Sequence, residues 1–305
     1  MAGGGDSVKA ILWALGANFF IAAFKFLGAF ITNSGTMLAE GIHSVADCVN
    51  QVLLLIGVKS SKKPPSVEYP LGHGKVVYFW SFVVAILLFS VGGLYSIYEG
   101  THKLKHPEPV TPEYWTAVWI LLGCIIAEGF SVYGCMKEVN KDRGEKSVFK
   151  WFGETRKSEL LVIFGEDFAA MIGLCFAFVF VLLAILTENP IYDAVGSITI
   201  GVLLVIVAFF ITIQIKKLLV GRSAEPQIRE GIQEYIANYQ GVEKIYNMIT
   251  FQLGPHIMVA AKVKMSDKDS DSQSMIENIN RCEEGLKKHY PEILWLFFEP
   301  DLKDN

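Results

Sequence analysis

The stretch TMLAEGIHSVADCVNQVLLLIGV, residues 36–58, combines a long apolar run with ionisable side chains inside it. Its length fits a membrane span, because a hydrocarbon core about 30 Å thick needs roughly 20 residues at 1.5 Å each. Glu40, His43 and Asp47 follow at spacings of three and four residues, so all three project from one helical face, which Asn50 extends. A charged group at bilayer depth costs at least about 2.5 kcal/mol and commonly lines a polar path or binds an ion. This stretch therefore predicts a membrane helix with a functional face.

Five further apolar runs of similar length predict a transmembrane domain of six helices in all. These runs lie at 7–31, 76–99, 113–136, 159–186 and 191–215. Of the 305 residues 52% are hydrophobic and only 19% are charged, whereas soluble proteins carry about 25% charge. The first run is too long for the apolar core of a secretory signal, so we expect it to be retained. The net charge of −4 argues against a nucleic-acid-binding protein.

Lysine and arginine residues predict how these helices are oriented. They are concentrated in the loops after the second and fourth runs, within 59–75 and 137–157, while residues 32–35 and 187–190 contain none. Basic loops remain in the cytoplasm, so an even number of spans places both termini there. We expect a multi-pass integral protein of the cell (inner) membrane, with an organelle membrane as the alternative.

After residue 218 the composition changes to that of a small soluble domain. Its predicted elements are a helix opened by Glu225-Pro226, a hairpin of 245–253 and 256–265, a helix over 272–288 and a strand over 293–298. The order is α-β-β-α-β. We therefore expect residues 1–218 to form an all-α transmembrane transport domain, and residues 219–305 a small α+β cytoplasmic domain.

The candidate metal ligands lie in the second and fifth runs. His43 and Asp47, four residues apart on a helix, can place a nitrogen and a carboxylate oxygen on one small cation. In the fifth run Glu166 and Asp167 are adjacent and point about 100° apart, so only one of them can squarely face the second helix. Two such helices together supply three or four ligands, which suits tetrahedral Zn²⁺ and also Fe²⁺, Co²⁺, Cd²⁺ or Mn²⁺.

Three other ionisable residues inside the runs have simpler interpretations. Lys25 and Glu128 are expected to pair as a structural bridge between helices, with a role in proton movement as the alternative. Glu159, near the cytoplasmic end of the fifth run, is expected to be solvated.

Residues 36–47 resemble the second helix of the cation diffusion facilitator family, whose members exchange divalent metal for protons. The chain resembles the branch of this family related to mammalian zinc transporter nine at residues 72–75, 78–82 and 92–100. It also resembles the family at residues 193–198. The resemblance implies a homodimer with a ferredoxin-like cytoplasmic domain. It also implies a transport site between the second and fifth helices, and alternating access.

The sequence departs from the family pattern in three places. The fifth helix reads GEDFAAM over 165–171, without a second His-bearing pair, so Asp167 is the expected ligand and Glu166 its substitute. Of the accessory Asp/His site in the cytoplasmic loop only His73 remains. The tail lacks the family's metal ligands, so we expect metal-independent dimerisation there, with Glu299 and Asp301 capping or solvated.

The expected function is proton-coupled efflux of a divalent metal, Zn²⁺ before others, with no prosthetic group and no enzymatic activity. Its partners would be the cation, protons, the lipid bilayer and a second copy of the chain. Few imidazoles and several carboxylates leave Mn²⁺ or Fe²⁺ as alternative cargo. A non-transporting membrane scaffold or regulator is a further alternative. A metal-dependent membrane hydrolase is disfavoured, because no HExxH or GxSxG motif occurs.

Overall fold

A computed structural model describes residues 3–32, 35–107, 109, 114–266 and 272–303, apart from the side chains of 3–6, 28–29, 31–32 and 35–43. The helices are α1 Gly3–Thr32, α2 Gly35–Ser61, α3 Val76–Leu87, α4 Tyr95–Lys105, α5 Tyr114–Arg143, α6 Val148–Glu154, α7 Ser158–Thr187, α8 Ile191–Val220, α9 Pro226–Ala237 and α10 Ser272–His289. The strands are β1 Val242–Leu253, β2 His256–Met265 and β3 Ile293–Pro300. A π-helical segment, Leu88–Leu94, joins α3 to α4, so the third predicted span is continuous over Val76–Lys105.

Each of the six predicted runs forms a helix. Within the described residues, five helices are long and apolar enough to cross a membrane: Ser7–Leu27, Val76–Lys105, Tyr114–Arg143, Ser158–Thr187 and Ile191–Val220. The second predicted run is the 27-residue helix α2. Several helices continue beyond their predicted ends, because a helix that leaves the hydrocarbon can extend with polar residues into water. An integral membrane protein follows from these spans.

Large apolar side chains cover the outside of the helical part as well as its inside. Phe30, Trp119 and Phe209 are exposed, whereas Tyr78 and Ile211 are fully buried among neighbouring helices. A soluble protein rarely exposes so much contiguous apolar surface, but lipid chains accommodate it. The apolar exterior therefore agrees with a membrane environment.

The C-terminal part has the predicted order α-β-β-α-β. β1 pairs antiparallel with β2, β2 pairs parallel with β3, and the strand order is β1-β2-β3. Alternate residues of β2, such as Val259 and Val263, form a core with Ile232 and Ile236 of α9 and Leu286 of α10. The result is a small mixed sheet with helices packed on it.

Two glycines allow the C-terminal part to approach the helices closely. Gly254 turns the hairpin with a φ of +63°, a conformation that favours glycine, and its N–H donates to the Tyr78 hydroxyl at 3.1 Å. A Cβ atom on Gly74 would overlap with the backbone of Leu253, and one on Gly254 with that of Gly74. The hairpin turn therefore packs directly against the start of the third span.

Two basic side chains make polar contacts at the same junction. Lys75 donates to the backbone carbonyl of Leu219 at 2.7 Å. Arg156 donates to the carbonyls of Ser223 at 2.7 Å and Ala224 at 3.1 Å. Burial lowers the pKa of Arg156 to about 10, so it remains charged at neutral pH. Both Lys/Arg-rich loops thus lie at the end of the bundle that carries the C-terminal part.

The Lys/Arg-rich loop predicted within 137–157 is largely helical instead. α5 continues to Arg143, and the short helix α6 follows with Ser147 as its N-cap. Trp151 of α6 is buried, and its indole N–H donates to Asp142 at 2.7 Å. A seven-residue helix anchored by one large side chain has no apolar periodicity long enough to be recognised in the sequence.

Candidate metal-binding site

α7 places two adjacent acids inside the helical bundle, and they face different neighbours. Glu166 is 6% exposed and Asp167 is 3% exposed. Glu166 faces α2: its Oε1 accepts from Asn50 Nδ2 at 3.0 Å and its Oε2 from Gln51 Nε2 at 3.1 Å. Because successive helical residues diverge by about 100°, Asp167 is directed elsewhere.

Asp167 faces α5, where a serine holds one of its oxygens. Ser131 donates from its hydroxyl to Asp167 Oδ2 at 2.8 Å, and both residues are buried. This charge-assisted bond holds the carboxylate through Oδ2, and Oδ1 is the oxygen that Ser131 does not engage. Asp167 is therefore oriented by α5 rather than by α2.

Asp47 of α2 shares an electrostatic environment with both α7 acids. It lies one helical turn before Asn50 and Gln51, so it occupies the face of α2 that contacts α7. Glu166 and Asp167 each interact coulombically with Asp47. Half-buried Asp47 and the two buried α7 acids thus influence one another electrostatically, and their mutual repulsion favours a bound cation.

His43 lies on the described backbone of α2, one turn before Asp47, but its side chain is outside the described residues. In the parts of the chain that the structure describes, no three His, Cys, Asp or Glu side chains are arranged to hold a metal ion. Asp47, Glu166 and Asp167 thus influence one another electrostatically without forming a three-ligand cluster in this structure, and membership of His43 in the group rests on helical spacing alone.

Glu128 of α5 is a fourth buried acid that interacts with this group. It lies one turn before Ser131 and interacts coulombically with Asp167, Asp47 and Glu166, and with Lys25 of α1. Lys25 is itself buried. Glu128 thus interacts electrostatically with the α7 acids as well as with Lys25, its predicted partner. Of the four acids, Glu128 is the one that interacts with the Lys25 ammonium group.

Comparison with known proteins identifies the family. Residues 11–220 match the model of the cation efflux transmembrane domain. The chain belongs to the cation efflux family. A human relative, the mitochondrial "proton-coupled zinc antiporter SLC30A9", is 32% identical over 248 residues, which are 81% of this chain and 44% of the relative. The predicted family resemblance is confirmed, and this is a family of transporters, not of enzymes.

Two further relatives differ in the activity that their names state. "Metal tolerance protein C4" of Arabidopsis thaliana is 31% identical over 253 residues, covering 82% of this chain and 55% of the relative. "Manganese efflux system protein MneP" of Bacillus subtilis is 26% identical over 245 residues, covering 78% of this chain and 77% of the relative. This cation efflux protein spans less than half the length of its human relative.

The prediction that Glu159 is solvated is wrong. Glu159 is 8% exposed, because the first turn of α7 packs among other helices instead of emerging into water. Its neighbour Ser158 forms a hydroxyl–hydroxyl hydrogen bond of 2.9 Å with Ser81 of α3. The apolar run marks where the helix begins but does not show which other helices cover its end.

In the tail, Asp301 acts as the predicted cap. Its Oδ1 accepts from the backbone N–H groups of Leu302 and Lys303, and its Oδ2 lies 2.8 Å from Lys262 Nζ. These donors lower the pKa of the Asp301 carboxyl group. Its hydrogen bonds and ion pair give Asp301 a structural role in the C-terminal part.

Proposed function

We propose that this cation efflux protein is a proton-coupled divalent metal efflux transporter and that its cargo is Zn²⁺. The observation that carries this proposal is the electrostatic interaction of Asp47 on α2 with the buried acids Glu166 and Asp167 of α7, inside apolar helices. Ionised carboxylates are costly at this depth, and a bound divalent cation lowers that cost. The stated activity of the human relative, proton-coupled zinc antiport, agrees with this cargo.

In the proposed site His43, Asp47 and Asp167 bind the metal, and Glu166 or a water completes the shell. Asp167 is favoured over Glu166 because Ser131 engages only one of its oxygens. Both oxygens of Glu166 already accept amide hydrogen bonds from α2. Glu166 then holds α2 and α7 together beside the ion. Its carboxylate can coordinate the ion when the helices tilt.

Proton coupling follows from competition for the same lone pairs. Zinc binds neutral imidazole and ionised carboxylate, so protons that arrive at His43 and a carboxylate expel the ion. The charge on Glu128 and Lys25 lies close enough to influence this exchange. Tilting of α2 and α7 relative to their neighbours would open the site to one side at a time.

Mn²⁺ is the second candidate cargo. Oxygen ligands outnumber nitrogen ligands in the proposed site, and harder ions such as Mn²⁺ prefer oxygen. The Bacillus subtilis relative is named as a manganese efflux protein. Competition between the two ions during transport distinguishes them.

We further propose that residues 1–218 are the transport domain and residues 219–305 a ferredoxin-like cytoplasmic domain, in a homodimer with both termini in the cytoplasm. The contacts of Lys75 and Arg156 support this orientation, because they place basic loops beside the C-terminal part. The cell (inner) membrane is the proposed location. The human relative is named as mitochondrial, which leaves an organelle membrane as the alternative.

The test is metal flux in proteoliposomes that contain a trapped zinc indicator and a trapped pH indicator. The unmodified protein is expected to move Zn²⁺ against a proton flow, and His43→Ala, Asp47→Ala and Asp167→Asn to abolish both signals. Glu138→Gln is the matched control, since Glu138 is a buried acid of α5 with its own partner, Lys141, at 2.8 Å. Undiminished flux in the three site variants would refute the site. Zn²⁺ flux without a pH change would refute proton coupling.

A further inference from the structure

Two histidines lie on consecutive turns at the end of the third span. His102 and His106 are both exposed, and their ring centroids are 4.9 Å apart. The backbone N–H of His106 donates to the carbonyl of His102 at 3.0 Å, so the last turn of α4 is intact and both side chains share one face. We propose that His102 and His106 form a second divalent-metal site, separate from the acids of α2 and α7.

The spacing of the two rings matches joint coordination of one ion. Zinc–nitrogen bonds are about 2.0–2.1 Å long, so two imidazoles on one tetrahedral zinc place their ring centroids about 5 Å apart. The C-terminus of a helix also carries a partial negative charge that favours a cation. His106 is the C-cap residue of α4, so the pair is at this end.

Two lysines flank the histidine pair on the helix. Lys103 lies 3.0 Å from Asp193 and 3.4 Å from Glu99, so its charge is compensated. Lys105, which directly precedes His106, is exposed, so water and salt screen its charge. Tyr98 packs one turn before His102, with ring centroids 6.4 Å apart. The pair therefore resembles a two-ligand chelate, with water in the remaining positions.

The location of the pair sets its accessibility. The third span begins beside the C-terminal part, where Tyr78 contacts Gly254, and α4 forms its far end. Exposed Tyr95 and Tyr98 mark the level of the lipid headgroups there, since aromatic residues favour that zone. His102 and His106 come one and two turns later, which places their imidazoles in water on the side opposite the C-terminal part.

The chemistry of two imidazoles predicts which ions bind. Imidazole suits Zn²⁺, Cu²⁺ and Ni²⁺, whereas Mg²⁺ and Mn²⁺ prefer oxygen ligands. In the proposed transport direction, this site would receive Zn²⁺ after its release from the acids within the membrane. Binding at His102 and His106 does not itself depend on transport.

The test measures protection of each histidine from diethyl pyrocarbonate, which acylates a ring nitrogen only when no metal occupies it. The full-length protein in detergent is titrated with Zn²⁺ and each modified peptide is quantified by mass spectrometry. At a free Zn²⁺ concentration ten times the dissociation constant, the labelling of His102 and His106 is expected to slow about tenfold, with one shared midpoint. Exposed His289 of α10 is the internal reference and should be unaffected.

Two variants show whether protection requires the pair. His106→Ala should remove the protection of His102. Adding Leu104→His to that variant restores the number of imidazoles but not their common face, because residues two apart on a helix do not face each other, so protection should stay lost. Unprotected histidines at all Zn²⁺ concentrations, or an unchanged His102 midpoint in His106→Ala, would overturn the proposal.

A third variant separates this site from the proposed transport function. In the double variant Asp47→Ala, Asp167→Asn the protection of His102 and His106 should persist even though flux is lost. Protection that disappears in this variant would overturn the second site. Persistent protection in a protein that proves not to transport metal at all would refute the transport function alone.

Discussion

Ser131→Ala is expected to weaken zinc binding without removing any proposed ligand. In the structure the Ser131 hydroxyl donates to Asp167 Oδ2 at 2.8 Å, and both groups are buried. A hydrogen bond to a charged group contributes about 1.5–3 kcal/mol, and each 1.4 kcal/mol corresponds to a factor of ten. Removal of comparable outer partners of metal ligands costs about 10–100-fold in affinity. We expect the apparent Zn²⁺ affinity to fall by about 10–100-fold.

The assay is the initial rate of Zn²⁺ entry into proteoliposomes as a function of Zn²⁺ concentration. Ser81→Ala is the matched control, because the Ser81 hydroxyl is also buried and hydrogen-bonded, at 2.9 Å to Ser158, but contacts no acid of the site. An unchanged affinity in Ser131→Ala, or an equal loss in Ser81→Ala, would refute the positioning of Asp167 by α5.

Three further predictions concern other parts of the chain. Glu166→Gln should raise the Zn²⁺ concentration at half-maximal flux about tenfold yet leave flux measurable, because its oxygens are already held by α2; complete loss would make Glu166 an essential ligand. Arg156→Ala removes the donor from the carbonyls of Ser223, Ala224 and Glu154 and should destabilise the junction by about 1–3 kcal/mol, seen as faster hydrogen exchange over 221–225. Burial lowers the pKa of His256, so its neutral form stabilises the fold and this stability is lost as the pH falls below about 6.5. His256→Gln should therefore reduce the acid-induced increase in exchange over β2, and an identical increase in both proteins would contradict this.

The sequence predicted the helices and the order of the C-terminal part because both depend on local periodicity. Apolar runs of membrane length and the alternation in β2 are visible without knowledge of tertiary contacts. The short helix α6 and the burial of Glu159 were not predictable in this way, since each depends on neighbours distant in the sequence.

The sequence predicted candidate ligands for the proposed site, and the structure adds contacts around them that the sequence did not predict. The spacing of Asp47 from His43 and the adjacency of Glu166 and Asp167 pointed to the two helices of the proposed site. The rotation of α5 could not be deduced, so Ser131 and the interaction of Glu128 with the α7 acids were missed. The sequence did contain a signal: Glu128 and Ser131 are three residues apart, which places both on one polar face of an otherwise apolar helix.

The location of bound zinc tests the central claim most directly. Anomalous scattering at the zinc edge from crystals of the full-length protein would locate the ion and its ligands together. The account predicts a peak between α2 and α7, about 2.0–2.2 Å from oxygens of Asp47 and Asp167 and from a nitrogen of His43. Zinc-loaded crystals with no peak between these helices, or with a peak there that lacks both carboxylates, would contradict it.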